Sequence, residues 1–240
     1  MSALPPQNLS FGLSPCPNDT YIFHAMLNGL VPIPAPFKPH MADVEELNNL
    51  ARKKALDVTK MSLGATTEIM QDYALLSSGA ALGWGCGPLL ITGGRKAPGD
   101  LSRWKIAIPG RLTTAALLLR LYAPACTDLV VLRFDQIMEA LVRGEVDGGV
   151  IIHESRFTYQ ELGLHCVQDL GQWWESTTGL PIPLGCIVAQ RTLAEKVHQD
   201  ITEAIAASIR WADAHPAETL PYIRTHSQEM AAEVVNSHIV

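Results

Sequence analysis

A chain of 240 residues, 48% hydrophobic and 18% charged, can bury an ordinary core as one large domain or two small lobes. Its net charge of −6, with no block of Lys or Arg, argues against nucleic-acid binding through a basic surface. No run reaches the ~18 apolar residues that span a bilayer, and Met1 to Gln7 lack the basic end and apolar core of a secretory signal. A cytoplasmic protein with no membrane insertion is therefore expected. Cys16, Cys86, Cys126, Cys166 and Cys186 are odd in number and scattered, with no C-x-x-C pair. They read as ordinary thiols, not as a disulfide framework or a zinc site.

The elements can be taken in chain order. Ser10-Phe11-Gly12-Leu13 reads as a strand, Ser14-Pro15-Cys16-Pro17-Asn18 as a loop, and Tyr21 to Asn28 as a helix entered through Asp19-Thr20. Asp43 to Lys54 predicts a second helix. Asp43 is its N-cap, Glu46 completes a capping-box-like start, and Val44, Leu47, Leu50 and Ala51 form one apolar stripe. Leu56 to Ser62 then reads as a strand. Gly87 to Thr92 is an apolar strand followed by the loop Gly93 to Gly99. Lys105 to Ile108 is strand-like, Pro109-Gly110-Arg111-Leu112 is a loop, and Thr113-Thr114 opens the apolar stretch Ala115 to Tyr122. Asp135 caps the next predicted helix, which carries Ile137, Met138, Ala140 and Leu141, and Gly144 sits where a left-handed C-terminal residue is expected. Val146 to Ile152 is a buried strand ending at His153. Pro183 to Ala189 is a further strand. From Leu193 a helix presents Ile201, Ile205, Ser208, Ile209 and Ala212, with His215-Pro216 ending it. A last helix is expected over Ser227 to about Val235.

This order states one pattern twice. Strand, polar loop, helix, second helix and a strand ending in polar residues occur first up to Ser62 and again up to His153. Such βαβ logic predicts a parallel sheet with right-handed crossovers in each half, and so two lobes facing each other across a cleft. If Gly87–Thr92 and Pro183–Ala189 are the crossings, residues 95–184 form lobe two, and residues 1–94 with 185–240 form lobe one.

Open parallel sheets bind ligands at the carboxyl ends of their strands, where Asp19, Ser62, Thr113, Thr114 and His153 all fall. His153 is the strongest candidate for chemistry, since an imidazole with pKa near ~6.5 accepts a proton at neutral pH. The competing role is a histidine that caps a strand end through a backbone carbonyl. Asp19, on a loop stiffened by two prolines, could bind ligand hydroxyls, orient another side chain, or cap the helix. Thr113 and Thr114 offer an anion seat at a helix N-terminus, or simple capping. No P-loop is present. Lys60 and Ser62 share one face of their strand, with a buried structural serine as the alternative. Trp173-Trp174 could line a cleft or pack a lobe. Gly83, Gly85 and Gly87 suit close backbone approach or a hinge more than phosphate binding.

Taken together in order, Ser14-Pro15-Cys16-Pro17-Asn18-Asp19-Thr20, Asp57-Val58-Thr59-Lys60-Met61-Ser62, Gly85-Cys86-Gly87-Pro88-Leu89, Ile151-Ile152-His153-Glu154 and Gly179 to Gly185 are similar to the 1,4-dihydroxy-6-naphthoate synthase family of the futalosine route to menaquinone. The resemblance covers roughly residues 9 to 240. It implies an α/β fold of the two-lobed type 2 periplasmic-binding-protein kind, used as a cytoplasmic enzyme. It implies a lyase that converts cyclic dehypoxanthinyl futalosine, a small-molecule carboxylate, with no metal or organic cofactor. It also implies His153 as catalytic base, with Lys60, Met61 and Ser62, Thr113 and Thr114, and Asp19 contacting substrate. Family members usually continue past the equivalent of Val240, so helices that brace lobe one are expected to be missing. Leu63-Gly64-Ala65-Thr66-Thr67 stands where bulkier residues are usual. Chorismate dehydratase of the same pathway, an exported solute-binding protein and a ligand-sensing regulator domain share the fold. The Ile-Ile-His-Glu histidine argues against the first, the missing signal against the second, and the seven residues before the first strand leave no room for a helix-turn-helix. A homodimer is compatible with all of these features.

Overall fold

The computed structural model describes residues 8–94, 100–153 and 155–226. The chain forms two compact units. One takes it up to Ala81 and again from Gly185; the other takes Leu82–Leu184.

The first segment runs β1 (Leu9–Leu13), α1 (Pro17–Leu27), β2 (Phe37–Met41), α2 (Val44–Arg52), β3 (Val58–Ser62), a 3₁₀ turn at Leu63–Glu68 and β4 (Tyr73–Leu75). β1 lies at the centre, parallel to β2 on one side and to β3 on the other. Helix α1 begins four residues before the expected Tyr21. Pro17 stands at its first position, where the absent N–H is no loss and the fixed φ suits a helix. Helix α2 starts as expected, with the Asp43 carboxylate accepting from the backbone N–H groups of Glu45 (2.9 Å) and Glu46 (3.0 Å). The core gathers on Phe11, whose ring meets Phe23 and Phe37 edge-on at 4.9 and 5.2 Å. Fully burying each such side chain contributes about 1.5–3 kcal/mol.

The second unit holds β5 (Ala81–Gly83, which spans the first crossing), β6 (Leu89–Thr92), β7 (Ile106–Ile108), α3 (Thr114–Tyr122), β8 (Leu129–Val131), α4 (Ile137–Val142), β9 (Gly148–Ile151), α5 (Ser155–Thr158), β10 (His165–Asp169) and α6 (Leu170–Thr178). Its sheet order is β10-β6-β9-β7-β8. The chain then returns through β11 (Ile182–Gln190) to α7 (Glu195–Ala214) and α8 (Pro216–His226). In the first unit the order is β2-β1-β3-β11-β4. The two orders correspond strand for strand. Three parallel strands have the chain's first in the middle, then comes one antiparallel strand (β11 or β6), then an edge strand. The repetition read from the sequence is thus a repetition of topology.

The correspondence also moves a boundary. Placing residues 82–94 in lobe one fails because β6 hydrogen-bonds β9 and β10, so each unit keeps one of the two crossing strands. Asp135 does not cap α4. It sits in the 3₁₀ turn Phe134–Gln136 and pairs with Arg133 (2.7 and 2.5 Å), while Gln136 precedes the helix. Helix α7 ends at His215 as expected, but α8 follows at once from Pro216 and was not foreseen. The loop 95–99 and the helix expected from Ser227 lie outside the described residues.

Helix α6 is held against the glycine loop by close backbone approach. A Cβ on Gly171 would stand 2.2 Å from the Cys86 carbonyl oxygen, and Gly87, at φ +127°, lies against the same turn. Arg156 fixes that loop from the other side. Its guanidinium donates to the Gly87 carbonyl (3.0 Å) and the Gly85 carbonyl (3.2 Å) and pairs with Asp169 (2.6 Å). Gly171→Ala gains at most about 1 kcal/mol of helix propensity and loses about 1–3 kcal/mol to the forced backbone shift. A net loss of stability is expected in urea melts.

His24 in α1 is buried among Trp211 of α7 and Tyr222 of α8. Burial lowers its pKa below 6.5, opposed by Glu218 and assisted by His226. The unfolded chain therefore binds more protons below pH 6.5, and the stability His24 confers is present above that value and lost as pH falls. Melting temperature is expected to drop on acidification, with a shallower slope in His24→Phe.

Candidate functional site

In each unit the strand order reverses between the central strand and its later parallel neighbour. That switch lies between β1 and β3 in one unit and between β7 and β9 in the other. The crevice beyond the carboxyl ends at such a point is where open α/β sheets bind ligands.

At the first switch point Asp19, in the first turn of α1, is 0% exposed. One carboxylate oxygen accepts from the Ser14 N–H (2.9 Å) and hydroxyl (2.8 Å), and the other is bound by the Lys60 ammonium. Asp19 is thus the third residue of α1 and not its cap, and its two oxygens are taken by Ser14 and Lys60. Lys60 is 7% exposed. Burial works against its charge, but Asp19, with Cys16 and Cys186 assisting, raises its pKa overall, so it stays an ammonium. Gly185 makes room for it, since a Cβ there would stand 2.7 Å from Lys60 Cε. Burial pushes the neighbouring Cys186 thiol up to about 11, with Lys60 pulling the other way. Met61 is fully buried on the opposite face of β3, so only its backbone belongs to this end. Ser62 ends β3, and its backbone and hydroxyl are both held by Asn48 of α2. Asn48 was not singled out from the sequence. The signal was there, because it lies four residues after Val44 and three before Ala51, a polar side chain on the apolar stripe.

At the second switch point Thr113 caps α3. Its hydroxyl oxygen accepts from the Ala116 N–H (3.1 Å) and its hydrogen goes to the Gly110 carbonyl (2.9 Å). The Thr114 hydroxyl donates to the Leu184 carbonyl (2.9 Å). What this end offers an anion is therefore the backbone N–H groups of the first turn and the helix dipole. His153 follows β9 by two residues, half-buried, its ring edge-on to Phe134 at 5.3 Å. Its φ is +55°, left-handed for a residue with a Cβ. Such backbone costs about 1–3 kcal/mol and collects at working sites. Glu154 lies outside the described residues. Trp173 and Trp174 pack the second unit. Trp173 meets Tyr122 at 5.5 Å, and the Trp174 indole N–H donates to the Pro181 carbonyl (3.1 Å). Among the described residues no group of His, Cys, Asp and Glu could hold a metal ion, and no helix is long and apolar enough to cross a membrane.

Residues 9–239 match the family model described as menaquinone biosynthesis. Two relatives bear the name 1,4-dihydroxy-6-naphtoate synthase. The one from Thermus thermophilus is 47% identical over 231 residues, covering 96% of this chain and 84% of that protein. The one from Streptomyces coelicolor is 43% identical over 236 residues, covering 96% and 83%. Among solved structures, protein AF1704 from Archaeoglobus fulgidus superposes with a TM-score of 0.91 at 33% identity, covering 98% of this chain and 87% of that one. The alkanesulfonate-binding protein SsuA of Xanthomonas axonopodis pv. citri has a TM-score of 0.73 at 14% identity, covering 99% and 84%. That likeness concerns the fold alone, which is the periplasmic-binding-protein fold.

Proposed function

The chain belongs to the menaquinone biosynthesis family, and from that membership we propose that it is a carbon–carbon lyase converting cyclic dehypoxanthinyl futalosine to 1,4-dihydroxy-6-naphthoate. His153 is the proton acceptor. It removes a proton from the ring system, the C–H electron pair enters the ring, and the bond to the sugar-derived fragment breaks with its electrons leaving on that fragment. The naphthalene becomes aromatic, which supplies much of the driving force.

The observation that carries this reading is the placing of His153. An imidazole held in left-handed backbone just past β9, beside that sheet's switch point, stands where a proton acceptor is useful to a ligand at the strand ends. The aryl carboxylate is seated by a charge or a donor: the first turn of α3 behind Thr113 and Thr114, or Lys60 with Ser62. Asp19 serves by fixing the ammonium of Lys60. Met61 contributes backbone only. A cytoplasmic location belongs to the same proposal, and light scattering reads directly whether the chain forms a homodimer.

Purified protein given cyclic dehypoxanthinyl futalosine is expected to develop naphthoate absorbance, and protein given chorismate is not. Turnover of chorismate alone would move the assignment to chorismate dehydratase. Binding without turnover of either would make the chain a solute-binding protein.

A further inference from the structure

The turns that follow β8 and β9 meet through two rings. Both strands run parallel to β7, one on each side of it. At ~4.8 Å per strand step their ends stand about 10 Å apart. Phe134 lies three residues past Val131, and His153 two past Ile151. Their rings nevertheless come to 5.3 Å between centroids, with planes inclined by 75°. The contact therefore reaches over the carboxyl end of β7, beside the switch point. It is the edge-to-face arrangement that ring quadrupoles favour. The Phe134 turn is fixed independently of His153. Arg133 and Asp135 flank the phenylalanine and pair through bonds of 2.7 and 2.5 Å, and the Gln136 N–H donates to the Arg133 carbonyl (2.9 Å). Leu132 and Ile137, on either side, pack in the same cluster as Ile151 of β9. The His153 backbone is set at φ +55°, and its carbonyl accepts from the Arg156 N–H (3.3 Å). A fixed backbone still leaves an imidazole two side-chain torsions.

We propose that Phe134 is a positioning residue whose ring holds the His153 imidazole in the one rotamer from which it takes the proton. This deepens the function proposed above and rests on it. A base works only within hydrogen-bond reach of the proton it removes, and a misplacement of about 1 Å can cost roughly 10²-fold in rate. An aliphatic side chain at position 134 would fill much of the same space, but it has no ring face or edge to set an angle. Phe134 acts through His153, so its loss falls on proton transfer and not on ligand binding.

The test compares wild type with Phe134→Leu, which removes the ring, and Phe134→Tyr, which keeps it. Protein labelled with ¹³C and ¹⁵N in histidine gives three-bond couplings from the ring Cγ to the backbone nitrogen and carbonyl, and these report the first side-chain torsion. The His153 signal is the one missing from H153N. Wild type and F134Y are expected to show a single rotamer and F134L an average of several. Single-turnover conversion of cyclic dehypoxanthinyl futalosine is expected to slow about tenfold or more in F134L and to recover most of that loss in F134Y. Anaerobic titration with 1,4-dihydroxy-6-naphthoate is expected to give dissociation constants within about threefold of wild type for both variants, because positioning a base alters the barrier and not binding. Wild-type couplings in F134L overturn the proposal, since the ring would then only pack. An equal loss in rate and in naphthoate affinity overturns it too, since Phe134 would then touch the ligand itself. If F134L does not fold, wild type decides alone: averaged His153 couplings overturn the proposal. The couplings need no substrate, so the two readings fail separately. Absence of turnover by wild type sinks the functional reading, whereas normal turnover by wild type and F134L alike sinks only the role of Phe134.

Discussion

His153→Asn is expected to lose about 10²–10⁴-fold in turnover of cyclic dehypoxanthinyl futalosine, the range that a general base supplies, with further loss from positioning. Asparagine is a better choice than alanine here. The backbone at position 153 has φ +55°, which alanine tolerates no better than histidine, whereas asparagine visits the left-handed region readily. H153N is therefore expected to melt at or above the wild-type temperature while being nearly inactive. That separates chemistry from folding. Substrate affinity, read by single-turnover kinetics, should change far less than turnover, because a base acts on the barrier more than on binding. Near-normal turnover in H153N would end the assignment.

Much of this molecule was legible because its two sheets repeat one strand order, and β3, β7 and β9 carry the β-branched residues that strands favour, whereas β2 (Phe37–Met41) and β8 (Leu129–Val131) were not read from the sequence. The strand ends were legible with them, so Asp19, Ser62, Thr113 and His153 were all placed at carboxyl ends. Among what was hidden, three cases have a clear physical reason. Pro17 looked like loop chemistry, yet proline also opens helices, so α1 began four residues early and drew Asp19 into its first turn. The ownership of β6 depends on which strands it pairs with, a non-local fact that no local pattern encodes. The partner of Asp19 is 41 residues away in sequence, and only the β1–β3 pairing brings Lys60 within reach. Asn48 is the opposite case. A polar side chain on a buried stripe must find partners, and its stripe position was visible from the start.

Lys60→Met is expected to destabilise the protein by about 3–5 kcal/mol, because it leaves Asp19 buried and ionised with only the two Ser14 donors. For a chain of this size that amounts to roughly 6–20 °C in melting temperature. Asp19→Asn in the same chain should recover most of the loss, since a neutral amide can still accept from the Ser14 N–H and no longer leaves a buried charge unpaired. Replacing a whole buried pair is often close to neutral, whereas breaking one is not. The pH dependence has a definite sign. The pKa of Lys60 is raised above 10.5 in the folded chain, so the folded state holds that proton more tightly than the unfolded state. The stability it confers is full below about 10.5 and is lost as pH rises through the folded value. Wild type should lose stability in that alkaline range faster than D19N/K60M. Activity gives a second readout. If Lys60 only braces the fold, the stable double variant turns over substrate normally. If its ammonium helps to seat the carboxylate, the double variant folds and melts like wild type but binds 1,4-dihydroxy-6-naphthoate weakly, and raising the ionic strength weakens that residual binding little, because the charge that salt would screen is gone.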